Sequence, residues 1–302
     1  MIQLEPAVES GAVIKFRLAR SLPGRQPYFT AAYWVDGLLI DSGPAHTARQ
    51  LTAALKGWRV DQIVNTHSHE DHIGANASLQ EMFRCPILAH PDALPILENP
   101  RLQRLQPYRL LFWGRPRPSQ GRPIGDQVET EHYRFQVIPT PGHSPDHICL
   151  FAAEQGWLFS GDAYIGGEDR ALRAGYDIWD IIESLKKLAE LPVSTIFSGS
   201  GSVRNQGVAP LEAKIAYLEQ LGDQIQALHK QGLSPRRIRR RLFGREPAIA
   251  YFTLGHFSAL NLIRSFLDSP QAEKQQEEQP TGPGATDELQ GQSQAATGEA
   301  EE

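Results

Sequence analysis

Three histidines and an aspartate lie within six residues of the chain, at His67, His69, Asp71 and His72. The apolar residues 63–64 come shortly before them, so the four side chains are expected to follow the end of a buried strand. Alternate residues of an extended segment share a side, which places His67 and His69 together and leaves Asp71 and His72 to face a second point. Imidazole and carboxylate groups are ligands for Zn²⁺, with Mn²⁺ or iron as less favoured alternatives. The segment predicts a metal site rather than a polar loop that is merely rich in histidine.

A further histidine for this site comes later in the chain. His143 lies just before a predicted strand at residues 148–152, where it can join His67 and His69. Three histidines would form a catalytic zinc site that keeps one position open for water. A metal in such a site lowers the pKa of bound water towards roughly 7, so hydroxide forms at neutral pH.

A second ion can be placed beside the first. Asp162 ends a predicted strand that begins at Trp157, and its carboxylate could bridge to an ion held by Asp71 and His72. Two bridged ions suit in-line displacement or hydrolysis at a carbonyl group. The alternative role for Asp71 is to orient and deprotonate the attacking water.

The elements that must position these residues alternate between strand and helix. Strands with tight turns are predicted over residues 13–41, with a hairpin signal at Asp36 and Gly37. A helix over residues 47–55 and a strand over residues 62–65 follow. A second β-rich half delivers the later polar residues in the same way. We therefore expect an α+β fold in which two sheets pack as a sandwich with helices outside.

An insertion is predicted at residues 91–126. It holds seven prolines, six arginines and the aromatic residues Tyr108, Phe112 and Trp113. Short helices and a position over the site are expected. The insertion is either a solvated connection whose aromatic residues pack on the body or a lid that contacts substrate.

Helical spacing returns at residues 210–232, 235–243 and 253–267. The middle helix carries five arginines, which invite contact with RNA because guanidinium groups bind phosphates. A solvated helix face is the favoured interpretation, because Asp and Glu elsewhere leave the folded part near neutral. The five arginines are Arg236, Arg237, Arg239, Arg240 and Arg241.

The charge of the chain is concentrated at its end. The formal net charge is −5, and residues 271–302 alone contribute −7. From Pro270 onward large apolar residues are nearly absent, which predicts a disordered acidic tail. The sequence thus divides into a main domain at residues 1–209, a helical region at 210–269 and the tail at 270–302.

Two cysteines, Cys85 and Cys149, are too few for a disulfide framework and are typical of a reducing compartment. The first residues lack the pattern of a signal peptide, and no apolar stretch approaches the roughly 18 residues of a membrane span. A soluble cytoplasmic protein is expected.

Four motifs give the chain a resemblance to the metallo-β-lactamase fold superfamily. Residues 66–72, THSHEDH, match its HxHxDH signature, and residues 140–143, TPGH, match a second motif. Residues 160–162, SGD, and the early strand segment LIDSG at residues 39–43 follow the same order. The resemblance covers roughly residues 13–202.

This resemblance implies a four-layer αββα sandwich of two mixed sheets, with the metals at one edge of the sheets. It also implies a first ion on three histidines, a second ion on an aspartate and a histidine, and a bridging aspartate. The residues in these roles would be His67, His69 and His143, then Asp71 and His72, then Asp162.

One position departs from the family pattern. Where members usually carry a further histidine between two glycines, this chain has Ser200, which is a poor zinc ligand. The second site is then weak or empty, or another residue replaces the histidine. His256 is the candidate replacement, and its alternative is a capping or core histidine near the site. We expect His147 to contact a ligand side chain rather than the metal.

Hydrolysis of a small ester, thioester or lactone is the favoured function, because the family implies attack by an activated water. The arginines of the insertion weakly favour an anionic substrate. An endoribonuclease or phosphodiesterase of the same fold is one alternative, since the C-terminal helices resemble those of that branch. A sulfur dioxygenase with a single iron is another, because three ligands suffice for it. A binding protein that lacks catalysis is disfavoured, because the ligands of the first site are all present.

Overall fold

The structure, a computed structural model, describes residues 1–21 and 28–268. Within these residues the strands form two large sheets and one small sheet. The first sheet has neighbouring strands in chain order, β1 (Ile2–Pro6), β2 (Ile14–Leu18), β3 (Thr30–Val35), β4 (Leu38–Ile40), β5 (Gln62–Val64), β6 (Ile87–Ala89) and β7 (Gly121–Pro123). Strands β1 to β4 pair antiparallel and strands β4 to β7 pair parallel, so this sheet is mixed.

The second sheet is also mixed. The small sheet consists of β12 (Leu172–Arg173) and β15 (Phe257–Ser258). The strands of the second sheet are β8 (Gln127–Glu129), β9 (Arg134–Pro139), β10 (Ile148–Ala152), β11 (Trp157–Gly161), β13 (Thr195–Ser198) and β14 (Val203–Arg204). Their spatial order in the sheet is β14-β13-β11-β10-β9-β8, and β11 pairs parallel with β13.

Nine α-helices lie within the described residues. They are α1 (Ala48–Ala54), α2 (Asn76–Phe83), α3 (Leu94–Glu98), α4 (Pro107–Phe112), α5 (Ile178–Ala189), α6 (Ala209–Lys230), α7 (Pro235–Phe243), α8 (Ala248–Phe252) and α9 (Ala259–Asp268). Among these residues, no helix is both long and apolar enough to cross a membrane.

Strand β4 shows how the layers arise. All three of its residues are buried, as expected for a strand that is covered on both faces. Leu39 packs in a cluster with Leu51 of α1, whereas Leu38 and Ile40 pack in the cluster that holds Phe159 of the second sheet. Alternate side chains therefore join the outer helices and the facing sheet, which confirms the expected αββα sandwich.

Helix α5 covers the second sheet. Asp177 accepts hydrogen bonds from the backbone N–H groups of Trp179 and Asp180, which caps the first turn. The buried face of the helix includes Ile181 and Leu185, which pack in one cluster with residues of the second sheet. Asp177 also donates from its backbone N–H to the Gly142 carbonyl oxygen, so the start of the helix is held beside His143.

Two elements differ from the sequence prediction. The last helix begins at Ala259 instead of residue 253, because Leu254 and Gly255 have φ angles of 53° and 82° and reverse the chain. Strand β7, which lies inside the predicted insertion, pairs with β6 and extends the first sheet. The rest of the insertion forms short helices, as expected. The predicted acidic tail at 270–302 lies outside the described residues, and the domain boundaries stay a prediction.

Candidate metal centre

The first group of ligand atoms comes from His67, His69 and His143. Their ring nitrogens lie within 4.8 Å of one another, and His69 Nδ1 is 2.9 Å from His143 Nε2. His67 and His69 follow the end of β5, and His143 lies on the loop between β9 and β10. The three histidines that the sequence placed around one ion are thus brought together at one edge of the sandwich.

The second group consists of His67, His72 and Asp162, whose ligand atoms also lie within 4.8 Å of one another. Asp162 Oδ1 is 3.5 Å from His72 Nε2, and its Oδ2 is 3.5 Å from His143 Nε2. One carboxylate oxygen therefore faces each group, as a bridging ligand requires. The predicted ligand Asp71 lies at the edge of this group, with its Oδ2 3.9 Å from His72 Nε2.

Asp41 contacts His72 of the second group through its carboxylate. No role was assigned to it from the sequence. Its carboxylate accepts hydrogen bonds from the Thr66 backbone N–H and hydroxyl, each at 2.8 Å. Asp41 Oδ2 is also 2.8 Å from His72 Nδ1, which directs His72 Nε2 towards Asp162. The pairing of β4 with β5 creates this contact, so the LIDSG segment at residues 39–43 includes Asp41 but does not indicate its partners. Such partners fix the orientation of ligand imidazoles.

The donor atoms fit a divalent cation. His67 Nε2 is buried and has no hydrogen-bond partner among the described residues, although buried polar atoms usually have one. Burial and the neighbouring histidines lower the pKa of His67 and of His69. Burial likewise lowers the pKa of His143 to about 4. These three rings are therefore neutral near pH 7, and neutral imidazole is the form that binds metals.

The second group carries an excess of negative charge. Burial alone would lower the pKa of His72, but the carboxylates of Asp162 and Asp41 hold it well above its ordinary value. Burial alone would raise the pKa of Asp162, but His72 outweighs it and holds this pKa below its usual range. A proton on His72 balances the surrounding carboxylates, and a cation at the same place would balance them equally well.

His147 supports the site without joining either group. Its Nε2 accepts a hydrogen bond of 3.0 Å from the Asp162 backbone N–H, and its Nδ1 is 2.7 Å from Thr140 Oγ1. Burial lowers the pKa of His147 to about 3, so the ring is neutral and can accept this bond. Asp146, which the sequence did not single out, accepts a bond of 2.8 Å from the Ser68 backbone N–H. The β9–β10 loop is thereby joined to the β5 loop.

Ser200 belongs to neither group. Its Oγ lies 2.9 Å from Ser198 Oγ, within a cluster of hydroxyl groups after β13. The adjacent Gly199 is the residue that borders the second group, because a Cβ built on it would lie 2.3 Å from Asp162 Oδ1. The same Cβ would lie 2.9 Å from His72 Cε1. A side chain at residue 199 would occupy space that the second group needs.

Replacing Gly199 with alanine is expected to weaken the second ion selectively. The new methyl group must displace Asp162 or His72, and disturbed ligand geometry reduces metal affinity by about 10- to 100-fold. Calorimetric titration of the metal-stripped protein with Zn²⁺ measures both sites. The matched control is Ser200→Ala, which adds no atoms and should leave both affinities unchanged. Equal affinities in all three proteins would contradict the role given to Gly199.

His256 lies one side chain away from the first group. Arg173 Nη1 is 2.8 Å from His69 Nε2, and Arg173 Nε is 3.4 Å from His256 Nε2. Neither group of ligand atoms within the described ranges contains His256. The hydroxyl of Tyr176 also borders the group, 3.2 Å from His143 Nε2. Arg173 and Tyr176 were missed from the sequence, because β12 and the loop that follows it reach the site only in the fold.

The insertion is anchored to the metal loop by a buried ion pair. Arg109 of α4 donates from Nε to Glu70 Oε1 at 2.6 Å, and its Nη2 contacts the other carboxylate oxygen. Glu70 is fully buried and Arg109 is 3% exposed. Glu70 lies between His69 and Asp71, so this pair connects the insertion directly to the ligand segment.

The chain shares its family with curated hydrolases over part of their length. The family model described as Metallo-beta-lactamase superfamily matches residues 25–200. The chain is 29% identical over 164 residues to a hydroxyacylglutathione hydrolase of Polaromonas sp., covering 53% of this chain and 56% of the relative. It is 29% identical over 173 residues to an atrochrysone carboxyl ACP thioesterase of Aspergillus fumigatus, covering 56% of this chain and 48% of the relative. The matches span about half the length of these two relatives.

The fold itself is shared over a longer part of the chain. A metallo-beta-lactamase family protein from Thermus thermophilus superposes with a TM-score of 0.64 at 20% identity, covering 86% of this chain and 94% of that one. The family model covers more than half of this sequence and includes all six of the predicted ligands. The chain belongs to the metallo-beta-lactamase superfamily.

Proposed function

We propose that this protein is a metal-dependent hydrolase that cleaves a small ester, thioester or lactone. The observation that carries the proposal is the pair of adjacent ligand groups, which share His67 and face opposite oxygens of Asp162. The names of the relatives, a hydroxyacylglutathione hydrolase and an ACP thioesterase, support thioester chemistry.

The residues that would hold the first ion are His67, His69 and His143. Asp162 and His72 would hold a second ion, with Asp71 at its edge. When bound, zinc would lower the pKa of water towards about 7 and polarise the substrate carbonyl group. We propose zinc rather than iron or manganese, because three histidine nitrogens with an open position suit it.

Side chains around the ligand groups can orient the reactants. Asp71 is 8% exposed and lies beside the second group, where it can accept a proton from the attacking water. The guanidinium group of Arg173 and the hydroxyl of Tyr176 border the first group on the other side. These N–H and O–H donors can hold a carbonyl or carboxylate oxygen of the substrate.

Replacing Asp71 with asparagine tests the proposal. Turnover of a thioester or lactone should fall by about 100- to 10,000-fold, because the amide cannot take up a proton. At least one zinc per chain should remain by elemental analysis, since the first group is intact. The matched control is Asp92→Asn, which changes an exposed carboxylate on the surface. Full turnover in Asp71→Asn would contradict the role of Asp71.

Assays with a panel of substrates, together with metal analysis, distinguish this hydrolase from an endoribonuclease, a phosphodiesterase or an iron-dependent sulfur dioxygenase. Thioesters, lactones, phosphodiesters and RNA are to be assayed with the zinc-loaded protein. The exposed arginines of α7, among them Arg236, Arg237 and Arg240, would contribute to phosphate binding only if RNA is cleaved. Cleavage of RNA alone, or one iron per chain with oxygen uptake, would overturn the proposed ester or thioester hydrolase.

A further inference from the structure

A cavity of about 680 Å³ lies between the insertion, the loop at residues 165–171 and the region around α8. Its volume is within the roughly 300 to 1,000 Å³ of small-molecule sites. Six aromatic residues form much of its wall. They are Tyr28, Tyr108, Phe112, Trp113, Phe252 and Phe257.

Several apolar side chains of the cavity wall are exposed to solvent. Ile165 is 41% exposed, Ile249 is 44% exposed and Phe252 is 38% exposed, and all three line the cavity. Clustered apolar side chains at a surface indicate a binding site, because isolated ones are ordinary but contiguous ones are not. Three charged residues also line the cavity, Glu168, Asp169 and Arg170, and Asp169 is already paired with Lys214 at 2.8 Å. The cavity therefore offers burial to an apolar group and little attraction to a polyanion.

The wall of the cavity contacts side chains that border the metal centre. Tyr108 lines the cavity, and its hydroxyl is 2.8 Å from His256 Nδ1. Phe257 also lines it and packs edge-on against Tyr176, with ring centroids 6.2 Å apart. The hydroxyl of Tyr176 is 3.2 Å from His143 Nε2. A substrate whose reacting carbonyl group lies at the histidines would therefore be next to this cavity.

We propose that the cavity binds the apolar acyl group of the ester or thioester that the metal centre cleaves. This inference rests on the proposed function and narrows its substrate to medium-chain or aromatic acyl groups. Each methylene group that leaves water for such a wall should strengthen binding by up to about fourfold. The acyl group rather than the leaving group is assigned here, because aromatic and aliphatic side chains make up most of the cavity wall, whereas a thiol carrier is polar.

A series of acyl thioesters tests the assignment. The zinc-loaded protein is to be assayed with acetyl, butyryl, hexanoyl, octanoyl and decanoyl thioesters of one small thiol. We expect kcat/KM to rise by about two- to fourfold per methylene group until the cavity is filled. A flat profile with active short substrates would overturn the acyl assignment and leave the hydrolase intact.

Two substitutions on α8 test whether the preference for long acyl chains depends on the cavity. Ile249→Glu puts a carboxylate into the wall, whereas Tyr251→Glu changes a neighbour that is 68% exposed and does not line the cavity. The first should lower kcat/KM for the decanoyl thioester by more than about tenfold and leave the acetyl thioester unchanged. The second should change neither. Equal effects of both variants would contradict the assignment.

A binding measurement separates this inference from the hydrolytic function. The fluorescent fatty acid cis-parinaric acid is to be titrated into the metal-stripped protein and into its Ile249→Glu and Tyr251→Glu forms. Saturable binding that only Ile249→Glu weakens supports an apolar acyl site, even if no thioester is cleaved and the hydrolase proposal fails. Absence of binding to the unmodified protein would refute the cavity as an acyl site.

Discussion

Replacing His67 with alanine is expected to remove the first ion, to weaken the second beside it and to lower turnover by more than about a thousandfold. His67 is the residue that contributes to both ligand groups, and its Nε2 has no hydrogen-bond partner among the described residues. Losing metal assistance removes several kcal/mol of transition-state stabilisation, and each 1.4 kcal/mol is about a factor of ten in rate. Elemental analysis after dialysis and the rate of thioester cleavage measure the two effects.

Thermal unfolding gives a second, independent reading of the same variant. A bound ion stabilises the folded state, so chelation should lower the melting temperature of the unmodified protein. The same treatment should lower the melting temperature of His67→Ala by less, because the first ion is already absent from this variant. The control is His132→Ala, because His132 belongs to an exposed group with Asp36 and Glu131, whose carboxylates already contact Arg59. Full metal content in His67→Ala would show that the ions bind elsewhere.

Replacing Arg109 with methionine is expected to destabilise the protein by about 3–5 kcal/mol. The substitution leaves the Glu70 carboxylate buried without its partner, and removal of one member of a buried pair costs far more than the pair contributes. Because Glu70 lies between His69 and Asp71, affinity for the first ion should fall as well. Urea unfolding measures the free energy, and zinc titration measures the affinity.

The insertion itself provides a matched control. Arg117 pairs with Glu81 at 2.6 Å, but both side chains are more than half exposed. Arg117→Met should therefore cost less than about 1 kcal/mol. A double variant, Glu70→Leu with Arg109→Met, should recover most of the lost stability, because two apolar groups replace two charges. If Arg109→Met is as stable as Arg117→Met, the buried pair does not hold the insertion to the metal loop.

The sequence predicted the metal-ligating residues of the site more completely than the residues that orient them. The alternation of His67 and His69, and the polar residues after two later strands, predicted a shared metal group that the structure brings together. These signals are local, since they depend on residue type and on the two-residue period of an extended chain. The ligand roles themselves stay predictions until metal is measured.

The contacts of the residues that orient the ligands had no comparable signal, although Asp41 lies in the LIDSG segment. Asp41 reaches Thr66 and His72 because β4 and β5 pair in parallel. Arg173 reaches His69 across 104 residues of sequence, and Gly199 borders Asp162 only because β13 ends beside β11. Each contact joins segments whose own patterns contain nothing about the partner.

The sequence by itself determined the donor atoms, the β-rich halves that carry them and the departure at Ser200. Only the tertiary structure decided that the two groups of ligand atoms meet at His67, that His256 lies behind Arg173, and that an apolar cavity adjoins the site. The physical reason is that local periodicity fixes which side of a strand or helix a residue occupies. The distance between residues on two different elements depends on how the sheets and helices pack. The energy of that packing is the sum of many weak contacts between residues far apart in the chain.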